Sequence, residues 1–405
     1  MKKFDIPSFY KSGIISEIKE IRKIKDPRKQ DFSPTLLDFG SLKIYLARHF
    51  GFCYGVENAI EIAYKAIDEN PGKRIYLLSE MIHNPEVNND LLLRGVRFIM
   101  ETSGEFIINW NELTKDDIVI VPAFGTTREI ENKLKEIGID PYRYNTTCPF
   151  VEKVWKTSAN LGDSHFTVII HGKFDHEETR ATFSHSIQNA KSVIVRNIEE
   201  TRILVEIISG KRPLDEFYLH FKDKYSKDFN PEYDLRKIGV VNQTTMLAGE
   251  TEEISVLLRE TMSNKYGHEN IKDHFADTRE TLCYATNDNQ KATKALLNIK
   301  ADFAIVVGGY NSSNTSHIVE LLEDKLPTYF INNDENLKSK NVITHYDLSE
   351  RAEVRSEEYF FNSTENKIII TSGASCPDAI VDRVILKLVS FFPNSNDLST
   401  VLDNI

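Results

Sequence analysis

The sequence predicts an α/β protein made of three similar units with mainly parallel sheets. From residue 44 onward, short apolar segments rich in β-branched residues alternate with amphipathic helical patterns. This alternation is typical of parallel strands joined by helices. Cys53, Cys148 and Cys283 each stand just before a helical pattern, which indicates that one unit is repeated three times.

Nine apolar segments are predicted to be buried strands, because each is short and ends in polar residues or glycine. They span 44–47, 74–79, 117–124, 166–172, 192–197, 237–243, 303–309, 328–333 and 367–373. Helical patterns follow most of them, as in VENAIEIAYKAIDEN, REIENKLKEIG and DAIVDRVILKLVSFF.

The length of 405 residues exceeds what one ordinary core holds, so two or three domains are expected. Residues of about 209–237 are polar and aromatic and are interpreted as an insertion, and the polar stretch 334–366 is expected to include a loop. The predicted division is an N-terminal arm at 1–43, a first α/β unit at 44–148, a second at 149–282 and a third with the C-terminal tail at 283–405.

Composition favours a folded cytoplasmic protein without a membrane or nucleic-acid partner. Apolar residues make up 40% of the chain, and no stretch approaches the roughly 20 apolar residues that a membrane span needs. The N-terminus carries charges throughout and lacks the apolar region of a secretory signal. The formal net charge of −11 argues against the basic surface of a nucleic-acid-binding protein.

The cysteines number four, and the fourth is Cys376. Disulfides are not expected in a large cytosolic protein, and no CxxC or HExxH pair indicates a zinc site. A single cysteine is commonly a small buried hydrophobe. Three matched positions at helix starts favour metal binding instead, because the helix dipole lowers the thiol pKa and favours the thiolate.

Polar clusters follow five predicted strands, at the ends where parallel α/β proteins bind ligands. Helix capping explains each cluster taken alone. Together they favour a diphosphate site, because amides, hydroxyls, imidazoles and helix N-termini donate to phosphate oxygens. The clusters are IHNPEV at 82–87, HGKFDHEET at 171–179, NQTTM at 242–246, GGYNSSNTSH at 308–317 and SGASCPD at 372–378.

The usual cofactor motifs are absent from the sequence. No GxxxxGK[ST] occurs, so nucleotide triphosphate hydrolysis is not predicted. No GxGxxG follows a strand, so no bound flavin or nicotinamide is predicted. Electrons for a reduction would therefore come through a metal centre fed by an external donor.

The motifs together resemble those of the 4-hydroxy-3-methylbut-2-enyl diphosphate reductases, from about residue 44 to about residue 388. In chain order they are FGFCYGVENAI, IHNPEV, TTCPFVEKV, HEET, NQTTM, LCYATNDNQ, NSSNTSH and TSGASCPD. PAFGTTREI and IIHGKFDHEET resemble the variant of plants and cyanobacteria. The resemblance implies a pseudo-threefold trefoil of α/β units around a central iron–sulfur cluster.

The resemblance also implies roles for individual residues. Cys53, Cys148 and Cys283 would each give a thiolate to a [4Fe–4S] cluster, whose fourth iron stays open for the substrate hydroxyl. Glu178 would supply protons, with Thr244 and His176 as further catalytic residues. The implied substrate-binding residues are His83, His176, Gln243, Thr244, Asn311, Ser312, Ser313, Asn314 and Ser375.

The implied reaction is the reductive dehydroxylation of 4-hydroxy-3-methylbut-2-enyl diphosphate, the last step of the methylerythritol phosphate route to isoprenoids. Its products are isopentenyl diphosphate and dimethylallyl diphosphate. Two electrons would pass through the cluster from an external one-electron donor such as ferredoxin or flavodoxin. The open iron can assist loss of the hydroxyl as a Lewis acid, and Glu178 can deliver a proton if it is within hydrogen-bond reach.

Two positions depart from the family pattern or need a separate interpretation. Phe124 stands where many members have a histidine, and phenylalanine cannot donate a hydrogen bond to the diphosphate. The plant-like variant also has phenylalanine there. Cys376 is interpreted as a small residue at a helix start, and the alternative is a fourth cluster ligand that would close the open iron.

Three other functions remain open at this point. One is another three-cysteine trefoil enzyme such as quinolinate synthase, which the HEET, NQTT and NSSN clusters fit poorly. Another is a non-catalytic iron–sulfur redox sensor, which needs neither a buried acid nor a diphosphate site. The last is a protein that binds an anion without iron and uses its cysteines structurally.

Overall fold

The computed structural model describes residues 5–278, 281–357 and 365–405. Its helices are α1 (Ile14–Lys25), α2 (Tyr54–Glu69), α3 (Pro85–Leu93), α4 (Arg128–Ile137), α5 (Pro149–Asp163), α6 (Glu177–Ser186), α7 (Ile198–Ile208), α8 (Glu216–His220), α9 (Pro231–Asp234), α10 (Ala248–Tyr266), α11 (Ile271–His274), α12 (Tyr284–Leu296), α13 (Ser313–Glu323), α14 (Asp378–Ser390) and α15 (Leu398–Asp403). Short 3-10 helices cover Ser8–Tyr10, Trp110–Glu112, His268–Asn270 and Asp334–Asn336.

The strands are short, and nine of them overlap the predicted apolar segments. They are β1 (Thr35–Asp38), β2 (Leu42–Leu46), β3 (Ile75–Leu77), β4 (Val96–Phe98), β5 (Ile118–Ile120), β6 (Thr167–His171), β7 (Ser192–Val195), β8 (Ile238–Asn242), β9 (Phe275–Ala276), β10 (Phe303–Val307), β11 (Thr328–Ile331), β12 (Leu337–Ser339), β13 (Val342–Asp347), β14 (Ala352–Ser356) and β15 (Asn366–Ser372).

The chain divides into two compact units. Unit 1 comprises Met1–Glu57, Ile82–Asn89 and Tyr284–Ile405, and unit 2 comprises Asn58–Met81 and Asp90–Cys283. The boundaries predicted from the sequence for the arm and the three α/β units stay predictions.

Unit 1 contains one sheet, whose order among the described residues is β1-β2-β15-β10-β11-β13-β12, with β14 paired to β13. Its central strands β2, β15, β10 and β11 are parallel, and Ile370 of β15 lies between Leu46 of β2 and Ile305 of β10. The outer strands pair antiparallel. The carboxyl ends of the central strands therefore meet at one edge of the sheet, where the predicted polar clusters follow β10 and β15.

Unit 2 contains two parallel sheets in the part of the chain that the structure describes. Their orders are β4-β3-β5 and β7-β6-β8-β9. In the second sheet Ile170 of β6 pairs with Val241 of β8, so the HEET and NQTTM clusters follow neighbouring strands. The prediction of an α/β chain with mainly parallel sheets is confirmed.

Each of the nine predicted segments overlaps a strand. The prediction succeeds because the central strands are buried on both faces, so their sequences are continuously apolar. All five residues of β6, of β8 and of β10 are buried. Ile305 is completely buried in the core of unit 1, so its replacement by alanine should cost about 2–5 kcal/mol of folding free energy.

The N-terminal residues pack within unit 1. Ile15 on α1 is completely buried, and α1 contacts α14. The backbone N–H groups of Ile14 and Ile15 donate to the carboxylate of Asp382 at 3.1 and 3.0 Å. An acid on α14 thus satisfies free N–H groups in the first turn of α1, where the helix dipole also favours a negative charge.

The segment interpreted as an insertion packs into the core of unit 2 through its aromatic side chains. Phe217, Phe221 and Phe229 are buried in the same core cluster as β6 and β8 residues. The rings of Phe217 and Phe229 stack with their centroids 4.9 Å apart. Burial of aromatic surface therefore explains why this polar segment is rich in phenylalanine and tyrosine. Among the described helices, none is long and apolar enough to cross a membrane.

Candidate functional site

The three predicted metal ligands are half-buried cysteines, each directly before a helix. Cys53, Cys148 and Cys283 precede α2, α5 and α12. Their backbones are held alike, because each cysteine N–H donates to a carbonyl just beyond the carboxyl end of a parallel strand. The three bonds run from Cys53 to Ala374 after β15 (3.2 Å), from Cys148 to Ala123 after β5 (2.9 Å) and from Cys283 to Thr244 after β8 (3.3 Å).

Two opposed effects act on the pKa of the Cys53 thiol. Removal from water raises the pKa, and the N–H groups of Val56 and Gly55 at the helix start lower it. The helix start acts in the predicted direction, but desolvation outweighs it, so the net pKa is raised.

The chemistry of the cysteines fits an iron–sulfur cluster, although their convergence stays a prediction. Cys53 belongs to unit 1, whereas Cys148 and Cys283 belong to unit 2. Within the described ranges, no group of three or more His, Cys, Asp or Glu side chains is arranged to hold a metal ion. The three half-buried thiols at helix starts are nevertheless the donors that such clusters use.

Cys376 has different surroundings from the other cysteines. It is completely buried in the apolar core of unit 1, and its Sγ donates to the Pro377 carbonyl at 3.6 Å. Burial is the main cause of its strongly raised pKa. These surroundings match a small core residue before α14, as interpreted from the sequence, and a neutral thiol is a poor metal ligand.

Glu178 and Thr244 form a buried pair in unit 2. Glu178 is 1% exposed on the first turn of α6. One carboxylate oxygen accepts from the Thr244 N–H at 2.6 Å, and the other accepts from the Thr244 hydroxyl at 3.0 Å. Because β6 and β8 are neighbours, the helix after one strand and the loop after the other bring the acid and the threonine together, as the sequence predicts.

His176 caps the N-terminus of α6. Its Nδ1 accepts from the Glu178 N–H at 3.1 Å, so in the neutral ring the proton is on Nε2. Phe124 packs edge-on against this ring, with centroids 5.6 Å apart at an angle of 84°. Phe124 therefore orients His176 by ring packing. A histidine at position 124 would instead offer a hydrogen-bond donor.

The remaining predicted site residue of unit 2 is Gln243, which is completely buried. Its side-chain oxygen accepts from the Lys173 N–H at 3.1 Å, and its side-chain nitrogen donates to Thr245 at 2.7 Å. Gln243 is therefore a fixed part of the loop after β8.

In unit 1 the clusters after β10 and β15 meet the segment that carries His83. The Ser375 hydroxyl donates to the His83 carbonyl at 3.2 Å, and it lies 3.5 Å from the Ser312 hydroxyl. The Ala374 N–H donates to Oδ1 of Asn314 at 2.9 Å. A methyl group on Gly309 would lie 2.3 Å from the His83 carbonyl, so only glycine allows this approach. The buried predicted residues brought together here are His83, Ser312, Ser313, Asn314 and Ser375, whereas Asn311 is exposed.

Two buried amide groups of unit 1 carry donors without a hydrogen-bond partner among the described residues. These are Nδ2 of Asn314 and Nδ2 of Asn84. Oδ1 of Asn84 accepts from the N–H groups of Glu86 and Val87 at 3.1 and 3.3 Å, so the orientation of its amide is fixed. An unsatisfied buried donor costs about 1–3 kcal/mol, and a phosphate oxygen would remove that cost.

Sequence reasoning assigned His83 but missed the neighbouring Asn84. The available signal was its place in the IHNPEV motif, directly before a helix. In the sequence, helix capping was a sufficient explanation for an asparagine at position 84. Only the structure shows that its Nδ2 group is buried without a partner among the described residues.

One cavity of about 500 Å³ lies elsewhere in unit 2. It opens near the amino ends of β6, β7 and β8, where Thr167, Lys191 and Lys237 line it. None of the predicted site residues lines this cavity, so the cavity does not define the candidate site.

Comparisons with known proteins agree with the resemblance. The family model described as LytB protein matches residues 44–389. A 4-hydroxy-3-methylbut-2-enyl diphosphate reductase of Synechococcus sp. (strain CC9311) is 40% identical over 359 residues, which is 88% of each chain. One of that name from Prochlorococcus marinus (strain NATL1A) is 38% identical over 387 residues, or 95% of this chain and 91% of the relative.

A solved structure provides a comparison of the fold. It is the E-1-hydroxy-2-methyl-but-2-enyl-4-diphosphate reductase from Plasmodium falciparum, with a TM-score of 0.60 and 24% identity. The match covers 87% of this chain and 89% of the other. This likeness confirms the predicted fold class.

Proposed function

The chain belongs to the LytB protein family, and on that premise we propose that it reduces 4-hydroxy-3-methylbut-2-enyl diphosphate. The C–O bond to the allylic hydroxyl breaks, and the oxygen leaves as water with one added proton. Two electrons enter the allyl unit, and a second proton adds at either end of it. The products are isopentenyl diphosphate and dimethylallyl diphosphate.

The observation that supports this reaction in the structure is the buried carboxyl of Glu178. A group that delivers a proton to a leaving hydroxyl has to be held in place and shielded from water. Glu178 is 1% exposed, and the N–H and the hydroxyl of Thr244 each donate a hydrogen bond to one of the Glu178 carboxylate oxygens. In this proposal Glu178 protonates the leaving hydroxyl, and Thr244 keeps the carboxyl in position.

The donors of unit 1 bind the diphosphate in this proposal. Asn314 and Asn84 have buried N–H groups without partners among the described residues. Ser312 caps α13, so the positive end of that helix dipole also faces the anion. His83 and Ser375 complete this set of ligands. Together they bind the anion without lysine or arginine, in keeping with the acidic composition.

Cys53, Cys148 and Cys283 would hold a [4Fe–4S] cluster. When bound, the cluster supplies the two electrons singly and a Lewis-acidic iron without a protein ligand. An external one-electron donor such as ferredoxin or flavodoxin would reduce it. No bound flavin or nicotinamide is needed in this scheme.

The decisive experiment is anaerobic turnover with a chemically reduced one-electron donor and the hydroxylated C5 diphosphate. We expect brown protein that forms both C5 products. Brown protein that forms neither product would remove the proposed function and leave the fold unchanged.

Cysteine variants test the metal ligands separately from activity. Serine at Cys53, Cys148 or Cys283 should lower the iron content and bleach the colour. Cys376→Ala is the matched control and should keep both, because the Cys376 thiol is confined to the apolar core. Loss of iron in Cys376→Ala but not in Cys53→Ser would contradict the ligand assignment.

The comparisons support the reductase over the quinolinate synthase and redox-sensor alternatives. The sensor alternative makes a distinct prediction for Glu178→Gln, since a sensor has no use for a proton donor. Equal redox behaviour and no turnover in wild type and variant would favour the sensor.

A further inference from the structure

Two buried threonines occupy the same place in two strand–helix connections. Residues 171–179 (HGKFDHEET) and 307–315 (VGGYNSSNT) both run from the last residue of a parallel strand to the third residue of the next helix. Thr179 and Thr315 close these segments, and both are completely buried. The proposed reaction gives neither threonine a role.

The hydroxyl of Thr315 donates to the hydroxyl oxygen of Ser312 at 3.0 Å. It fits there because glycines follow both neighbouring strands. A methyl group on Gly308 would lie 2.8 Å from Thr315 Oγ1, and one on Gly373 would lie 1.9 Å from it. The two glycines thus leave room for a hydroxyl against the ends of β10 and β15.

This contact determines what the Ser312 hydroxyl can do. Its oxygen also accepts from the Thr315 backbone N–H at 3.3 Å. A hydroxyl has two acceptor positions and one proton, and Thr315 occupies both acceptor positions. The Ser312 proton therefore points away from Thr315. Ser375 Oγ, whose own proton goes to the His83 carbonyl, lies 3.5 Å from Ser312 Oγ, so the Ser312 proton is available to Ser375 or to a phosphate oxygen.

Thr179 acts on Gln243 in the corresponding way. Its hydroxyl donates to the side-chain oxygen of Gln243 at 3.0 Å, and the Lys173 N–H donates to the same oxygen at 3.1 Å. Both lone pairs of the amide oxygen are then used. The orientation of the amide is fixed, with its nitrogen donating to Thr245 Oγ1 at 2.7 Å. Gly172 provides the space here, since a methyl group on it would lie 2.5 Å from Thr179 Oγ1.

A third connection shows that the fold does not need a hydroxyl at this place. Val87 is the third residue of α3, and it is 1% exposed. The cap of α3 is Asn84, whose Oδ1 accepts from the Glu86 and Val87 N–H groups. Since valine occupies the same place in α3, replacing the threonines by valine is compatible with this type of connection.

We propose that Thr315 is a positioning residue that holds Ser312 as a hydrogen-bond donor toward the diphosphate. The identity of the ligand rests on the proposed function. The positioning itself rests on the two hydrogen bonds to Ser312 and on the space that Gly308 and Gly373 leave.

The test measures binding of inorganic diphosphate to the full-length protein by titration calorimetry. Thr315→Val should weaken binding about three- to tenfold, the size expected for loss of one aligned donor. Thr315→Ser keeps the hydroxyl and should restore binding. Thr293→Val is the matched control, because Thr293 is also a completely buried helical threonine but its hydroxyl donates only to the Asn289 carbonyl at 2.8 Å. In turnover, Thr315→Val should raise KM by the same factor and leave kcat within about twofold.

Melting temperatures without ligand should fall alike in Thr315→Val and Thr293→Val, which separates general stability from positioning.

Several outcomes would overturn the inference. They are equal binding in Thr315→Val and Thr293→Val, failure of Thr315→Ser to restore binding, or no binding of inorganic diphosphate by the wild type. Binding by the wild type without turnover of the allylic substrate would instead count against the proposed function alone.

Discussion

Replacement of Glu178 by glutamine removes a titratable proton while keeping the shape of the side chain. In the native pair, the carboxylate accepts from the Thr244 N–H at 2.6 Å and from the Thr244 hydroxyl at 3.0 Å. The glutamine oxygen can accept from the same N–H. Its amide nitrogen can donate to the Thr244 oxygen, since a hydroxyl also accepts. We therefore expect a folded variant with the side chain in its native place.

The expected effect on turnover is much larger than that on stability. A positioned general acid contributes about 10²–10⁴ in rate, which corresponds to about 3–5 kcal/mol of activation free energy. Two charge-assisted hydrogen bonds become two neutral ones, which costs at most about 2 kcal/mol of folding free energy. KM should change little, because the proposed diphosphate ligands in unit 1 are untouched.

The assay is single-turnover product formation under anaerobic conditions, with iron content and the visible spectrum measured on the same samples. Glu177→Gln is the matched control, because Glu177 is the adjacent buried acid and accepts from the Ser79 hydroxyl. Glu178→Gln with full iron and wild-type turnover would refute the assignment of the acid. An equal loss of turnover in both variants would show that any charge change at the start of α6 is harmful.

Three further predictions concern other parts of the two units. Asn314→Asp keeps the acceptor oxygen but replaces the buried donor by a negative charge. The affinity for inorganic diphosphate, measured by calorimetry, should fall at least about tenfold. Unchanged affinity would exclude Asn314 as a ligand. Gly125 has φ of 77°, and a methyl group there would lie 2.5 Å from the Trp155 ring, so Gly125→Ala should cost about 2–4 kcal/mol in urea unfolding. Gly72→Ala also has positive φ (78°) but no atom within 4 Å, and it should cost only about 1–2 kcal/mol; equal losses would show that Trp155 moves aside freely. The pKa of His185 is lowered, mainly because the ring is buried. The unfolded state therefore binds the proton more tightly than the folded state. The free energy of unfolding should fall as the pH drops below the ordinary histidine pKa of about 6.5. His185→Phe keeps a ring stacked on Trp155 and should flatten that part of the stability–pH curve, whereas an unchanged slope would exclude His185 as its source.

The fold was most predictable where burial is complete. Strands such as β10 are buried on both faces, so their apolar residues run without interruption and are visible in the sequence. Strand β13 is mostly half-buried, and β14 mixes half-buried with exposed residues. The polar stretch that contains them gave no strand signal. Their antiparallel pairing depends on contacts that local composition does not encode.

The site was predictable in its residue types but not in its hydrogen bonds. The motifs placed Glu178 and Thr244 after two predicted strands, and the structure shows that these strands are neighbours and that the two residues are hydrogen-bonded directly. The sequence could not reveal that Nδ2 of Asn84 is buried without a partner among the described residues, because such a group is defined by what surrounds it. The partner of Thr315 likewise depends on the absence of a side chain at Gly373, more than fifty residues further along the chain.

The pairing of β2 with β15 has a consequence for biosynthesis. These strands are neighbours in the unit 1 sheet, yet all of unit 2 lies between them in the sequence. Because the N-terminus of a chain leaves the ribosome first, β2 has no parallel partner strand until β15 has been translated. The Ala374 carbonyl, which accepts from the Cys53 N–H, is also synthesised only then. If Cys53 is a ligand as proposed, iron has to be inserted near the end of synthesis or after release, whereas the backbones of Cys148 and Cys283 are anchored within unit 2 much earlier.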